Sequence, residues 1–159
     1  MLYRGVETVE VSNAEEEFVA FVTDVEPRLR RALIALRGAE NGRDAASEAL
    51  TWAWEHWAEV REMENPAGYL YRVGQSRSRP RRRRLLPRQD VVPAPDSYED
   101  LAEALRELTS RQRTAVMLVH GCGWSYDDVA EAMDISKSSV GTHVQRGMAR
   151  LREQFEEDS

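Results

Sequence analysis

The sequence has a single cysteine, Cys122, only three histidines and no long apolar run. A lone thiol cannot close an internal disulfide, so no covalent staple is expected. No stretch approaches the roughly 20 apolar residues that a membrane span needs, and no membrane is expected among the partners. The opening segment, Met1 to Ser12, lacks the basic cap and apolar stretch of a secretory leader, so the chain is expected in the cytoplasm. His120 and Cys122 stand close together, but no second ligand pair lies near them, and His56 and His143 are remote. Gly121 and Gly123 lack the further glycine and the lysine of a phosphate-binding loop. No nucleophile stands beside a base. Neither catalysis nor a metal or other cofactor is expected.

What is present is apolar residues in helical rhythm and charge in blocks. Hydrophobic residues make up 42% of the 159, enough for two modest cores and too many for a disordered chain. The net charge of −6 disfavours nucleic acid, but its distribution does not. Residues 1–64 carry 7 arginines and 14 acids, residues 65–96 carry 8 arginines and 2 acids, and residues 97–159 carry 7 bases and 12 acids. A basic block between two acidic ones is a footprint for phosphates, although an arginine run by itself fits a solvated linker as well.

The spacing of Phe18, Phe21, Val25, Leu29, Leu33 and Leu36 predicts a helix from Asn13 to Leu36, kinked at Pro27. Gly38 and Gly42 then punctuate a loop. A second helix is expected from about Asp44 to Val60; its three tryptophans, Trp52, Trp54 and Trp57, exceed what one narrow stripe buries. Asn65-Pro66 opens a third helix, which Pro80 ends. Arg77, Arg79, Arg81 to Arg84 and Arg88 crowd its exit, and Pro87, Pro93 and Pro95 keep residues 81–96 extended. Ser97 with Asp100 opens a fourth helix lined by Leu101, Leu105 and Leu108, and Thr109 with Gln112 makes a second capping box. No strand is predicted. The expected fold is all-α: two small helical domains, 13–80 and 97–155, joined by an arginine- and proline-rich linker over 81–96.

Residues 125–150 have the layout of a helix-turn-helix. A short helix opened by Ser125 carries Tyr126, Val129, Ala130 and Met133 inward, and Asp134-Ile135-Ser136 turns the chain. The next helix buries Val140, Val144, Met148 and Leu151, which turns Lys137, Ser138, Ser139, Thr142, His143 and Arg146 outward. Short hydroxyls and cations on such a face suit a major groove. A plain bundle with a polar outer face has the same periodicity.

With both halves in view, the chain resembles the extracytoplasmic-function group of the sigma-70 family. "LTSRQRTAVMLVHGCGWSYDDVAEAMDISKSSVGTHVQRGMARLRE" is similar to that group's region four, which reads the minus-thirty-five promoter element. "PRLRRALIAL", "DAASEALTWAWEHW" and "NPAGYLYRV" followed by arginines resemble its region two, which docks on the clamp of core RNA polymerase and opens the minus-ten element. The resemblance implies core polymerase and promoter DNA as partners, with an anti-sigma protein as a further one. It assigns polymerase binding to Asp44, Glu48, Thr51 and Trp52, and minus-ten contacts to Arg72, Gln75, Ser76, Arg77, Arg79 and Arg81. It assigns the upstream element to Lys137, Ser138, Ser139, Thr142, His143 and Arg146. The sequence departs from the family at Ala45, Ala46 and Ser47, at Ser76 and Pro80, and at Gly141, His143 and Met148, where basic residues are common. The C-terminal half is also similar to LuxR-type regulators, but their receiver domain needs strands, and none is predicted here.

Overall fold

The computed structural model describes the backbone of residues 4–77 and 96–157 and the side chains of residues 13–77 and 100–156. The expectations for Arg79, Pro80, Arg81 to Arg84, Arg88, the linker prolines and the Ser97 cap lie outside the described residues. Among those described there are eight α-helices and no strand. The chain divides into two units, Met1–Ser78 and Arg79–Ser159.

The first unit holds α1 (Arg4–Arg37), α2 (Ala39–Glu55), α3 (Trp57–Val60) and α4 (Pro66–Arg77). α1 begins well before the expected Asn13. It also stays helical through Pro27, which is exposed. The ring removes one amide donor there, while the buried stripe of Val25, Leu29, Ala32 and Leu33 continues on both sides of it and holds the helix together.

One residue separates α1 from α2. Gly38 takes φ 85°, a left-handed conformation that glycine adopts without strain, and its amide donates to the Ile34 carbonyl at 2.9 Å. Gly42, expected in a loop, lies inside α2 and is buried. A Cβ there would sit 2.5 Å from the Ile34 Cα, so this glycine lets α1 and α2 cross in close approach. Ala45, Ala46, Ala49 and Ala53 continue the small-residue face of α2. Leu29, Leu33, Leu70 and Tyr71 pack with them, and full burial of each such leucine is worth about 1.5–3 kcal/mol. The Arg37 guanidinium donates to the Gln75 carbonyl at 3.1 Å and joins the ends of α1 and α4.

The single helix expected to reach Val60 breaks at His56, whose φ of −117° leaves the helical region. Its ring Nδ1 lies 2.9 Å from the Trp52 carbonyl, so the side chain competes for a group at the helix end. α3 follows and buries Val60.

The second unit holds α5 (Asp96–Glu107), α6 (Ser110–Val116), α7 (Tyr126–Met133) and α8 (Lys137–Glu157). Its core joins Ala104, Leu108, Val116 and Leu151, with Leu105 and Met148 packed against them. Leu101, expected on that face, is exposed, and Ala104 takes its place. Tyr126 also lies further out than its spacing implied, and Phe155 near the end of α8 is exposed. Thr109 and Gln112 form the expected reciprocal capping box at the start of α6. Arg113 then donates from Nε to the Leu105 carbonyl at 2.8 Å, and from Nη2 to those of Arg106 and Leu108 at 2.9 and 3.1 Å. One guanidinium thereby satisfies the orphan carbonyls that end α5.

α6 passes into a π turn, Met117–Gly121, closed by the Cys122 amide on the Met117 carbonyl at 2.9 Å. The wider turn precedes Trp124, which is 2% exposed and whose amide donates to the Leu118 carbonyl at 2.9 Å. Trp124 is a core residue that apolar periodicity does not reveal, because it stands between glycine and serine with no partner at helical spacing.

Candidate functional site

Each helix of the pair α7–α8 is started by a hydroxyl. The Ser125 side chain accepts from the Asp128 amide at 3.1 Å and donates to the Asp128 carboxylate at 2.9 Å. Ser136 accepts from the Ser139 amide at 3.1 Å, and its hydroxyl lies 2.8 Å from that of Ser139 and 3.1 Å from that of Ser138. Asp134 turns the chain between the helices at φ 53°, a left-handed conformation that Asp tolerates better than bulkier residues. The Ile135 amide donates back to the Ala130 carbonyl at 3.1 Å, and Ile135 is half-buried in the corner. The result is a helix-turn-helix with its second helix running on to Glu157.

Val140, Val144 and Leu151 are buried along α8, which fixes its outer face. Lys137, Ser138, Thr142 and Arg146 are exposed, while Ser139 and His143 are half-buried. The Thr142 hydroxyl donates to the Ser138 carbonyl at 3.1 Å. Lys137 Nζ sits 3.2 Å from the Asp127 carboxylate on α7. Gln145, exposed and at helical spacing from Ser138 and Thr142, belongs to the same face. A search for hydroxyls and cations passes over this amide, although its spacing is visible in the sequence. Exposed donors, with Arg146, Arg150 and Arg152 all exposed along the same helix, can engage base edges and phosphates.

In the first unit, Asp44, Glu48 and Thr51 lie exposed on one face of α2. The Thr51 hydroxyl donates within the helix to the Ser47 carbonyl at 3.0 Å. Trp52, grouped with them by sequence, is half-buried. Its ring stacks on His56 with centroids 4.2 Å apart, and Tyr69 lies 5.5 Å away. The more exposed tryptophan is Trp54, on the opposite side of α2, with its ring 4.9 Å from Phe18. Trp57 packs between Phe18 and Phe21 at 5.2 and 5.1 Å. Most of the surplus aromatic surface is therefore spent inside the unit.

At the end of α4 the Arg72 guanidinium lies 5.1 Å over the Tyr69 ring. Gln75, Ser76 and Arg77 are exposed. The Gln75 side-chain amide donates to the Tyr71 hydroxyl, and the Ser76 hydroxyl donates to the Val73 carbonyl at 3.1 Å. Each contact takes up one donor; the Gln75 carboxamide keeps a second N–H and its carbonyl oxygen, and the Ser76 oxygen can still accept. Arg79 and Arg81 fall outside the described residues. No group of three or more potential metal ligands occurs among the described residues. No helix among them is long and apolar enough to cross a membrane.

Residues 98–151 match the family model "Sigma-70, region 4". The RNA polymerase sigma-E factor of Streptomyces avermitilis is 28% identical over 153 residues, covering 89% of this chain and 84% of that protein. The sigma-E factor of Streptomyces coelicolor is 27% identical over 152 residues, at 88% and 85% coverage. Among solved structures, the sigma factor RpoE in complex with the anti-sigma factor NepR from Bartonella quintana aligns with a TM-score of 0.64. It is 24% identical, over 91% of this chain and 99% of that one. CnrH in complex with the cytosolic domain of CnrY aligns with a TM-score of 0.61 and 20% identity, over 91% of each chain. At these identities the two structures speak for the fold, and nothing among the relatives favours a LuxR-type regulator. The region-four match falls on the unit that carries the helix-turn-helix, and the sigma-E relatives align along most of the chain, so the chain is similar to sigma factors of the sigma-70 family across both units.

Proposed function

We propose that the chain is a bacterial sigma factor that binds core RNA polymerase and directs promoter-specific initiation. The observation that carries this is the region-four match on the α7–α8 unit, in a chain whose relatives named sigma-E factor align along most of its length. Function divides as 13–80 for the region-two unit, 81–96 for the linker and 97–155 for the region-four unit. Asp44, Glu48, Thr51 and Trp52 dock on the polymerase clamp, where the carboxylates set encounter and register. Arg72, Arg77, Arg79 and Arg81 follow the backbone near the minus-ten element, with Gln75 and Ser76 as base readers. Lys137, Ser138, Ser139, Thr142, His143 and Arg146 face the major groove of the upstream element. The protein acts in the cytoplasm by binding, without a cofactor or a catalytic step. One of the solved relatives is held by an anti-sigma factor, and a protein of that kind is the natural regulator here.

Core polymerase offered to the tagged protein should be retained, and the complex should transcribe discrete genomic fragments in vitro. Duplex binding without retention of polymerase would replace this reading with a sigma-derived or LuxR-type regulator.

A further inference from the structure

Lys137 is the only lysine of the chain. It is the first residue of α8, where the aligned peptide dipoles place partial positive charge. A cation at that end of a helix works against the helix, so its presence calls for an anionic partner. The structure supplies one: Nζ lies 3.2 Å from the Asp127 carboxylate, with the two side chains 63% and 57% exposed. Asp127 is not needed to start its own helix, because Ser125 and Asp128 form the cap of α7 between them. Asp127 thus sits at the entrance to the outer face of α8, neutralising the cation at its leading end.

We propose that Asp127 limits the DNA affinity of the helix-turn-helix by holding Lys137 in an ion pair that must open before Lys137 can meet a phosphate. This rests on the reading of α8 as a DNA-binding helix. The ammonium is a compact charge on a flexible stem, so exchange of carboxylate for phosphate needs only side-chain rotation. An exposed pair of this kind is weak, which makes the exchange reversible and keeps the restraint to a few-fold. A phosphate contact carries no sequence information, so the restraint falls on all DNA and lowers the background against which base contacts discriminate.

The test measures binding of the full-length protein to a random-sequence duplex by fluorescence anisotropy across a salt series. Asp127→Asn should bind roughly two- to fivefold tighter, with a log-affinity versus log-salt slope close to that of the wild type, because Lys137 meets the same phosphate in both proteins. The Asp127→Asn, Lys137→Ala double variant should lose that gain. Acylation of Lys137, followed by mass spectrometry, should be slowed by duplex in both the wild type and Asp127→Asn. Unchanged affinity in Asp127→Asn would overturn the proposal. So would a gain that survives in the double variant, which would trace to removal of a negative charge alone, or a Lys137 equally reactive with and without duplex. A wild-type protein that binds no duplex at all would remove the DNA-binding reading itself, an outcome distinct from these.

Discussion

Two glycine-to-alanine substitutions in helix interiors should move stability in opposite directions. A methyl at position 42 would lie 2.5 Å from both Cα and N of Ile34 and 2.7 Å from the carbonyl carbon of Leu33. These are backbone atoms, so no rotamer change relieves the clash; α1 and α2 must move apart by most of an ångström along their whole crossing. Overpacking of that kind costs about 1–3 kcal/mol, and the fixed obstacle places Gly42→Ala at the upper end. Replacing a helical glycine by alanine returns about 1 kcal/mol. The net expectation is a loss of about 2 kcal/mol. At Gly141 the same methyl would stand 3.6 Å from Cε2 of Tyr126, an ordinary contact. Gly141→Ala should therefore keep the propensity gain and stabilise its unit by up to about 1 kcal/mol. Urea unfolding followed by tryptophan fluorescence and circular dichroism measures both. Trp52, Trp54 and Trp57 report on the first unit and the buried Trp124 on the second. A Gly42→Ala variant as stable as wild type would refute the close crossing of α1 and α2.

Reversing charge on α2 with Asp44→Arg and Glu48→Arg should weaken retention of core polymerase while leaving the urea midpoint near wild type, since both residues are exposed; unchanged retention would remove α2 from the interface. Arg146→Ala should weaken duplex binding by about 1–3 kcal/mol and relax discrimination at one base pair. Sequencing of the bound fraction from a random pool reads this, and an even loss across all sequences would reassign Arg146 to a phosphate. Arg113→Ala should destabilise the second unit by about 2 kcal/mol, because three carbonyls at the end of α5 lose a charged donor. Arg113→Lys should rescue it only in part, since an ammonium lacks the planar fork; full rescue in thermal melts would show that charge alone matters.

The parts of the fold set by local chemistry are legible in the amino-acid sequence. Thr109 with Gln112, Ser125 with Asp128, and Ser136 each mark a helix start that the structure repeats, because a hydroxyl beside free amides decides the matter within four residues. The buried stripe of α8 is equally plain, with Val140, Val144 and Leu151 inside. What sequence misreads depends on the opposing surface. Gly42 reads as a loop residue on its own and becomes a helix residue once Ile34 lies against it. The break at His56 comes from a side chain that reaches the Trp52 carbonyl, which propensity does not encode. Trp52, Trp54 and Trp57 look alike in sequence, yet Phe18, Phe21 and Tyr69 give them unequal burial. At the candidate site the outward direction of Lys137, Ser138, Thr142 and Arg146 follows from the stripe, whereas the pairing of Lys137 with Asp127 requires the angle between two helices.

The one-residue joint at Gly38 also bears on the order in which the first unit assembles. α1 and α2 meet through a connection so short that closing it costs little chain entropy, and their mutual contacts link residues close in sequence. Such a helical hairpin needs no residue beyond Glu55 for its own pairing. The Arg37–Gln75 hydrogen bond and the burial of Leu70 and Tyr71 must wait for the chain to return across α3. Local pairing forms fast and distant pairing slowly, so in refolding the hairpin should pair first and α4 should dock onto a surface already in place.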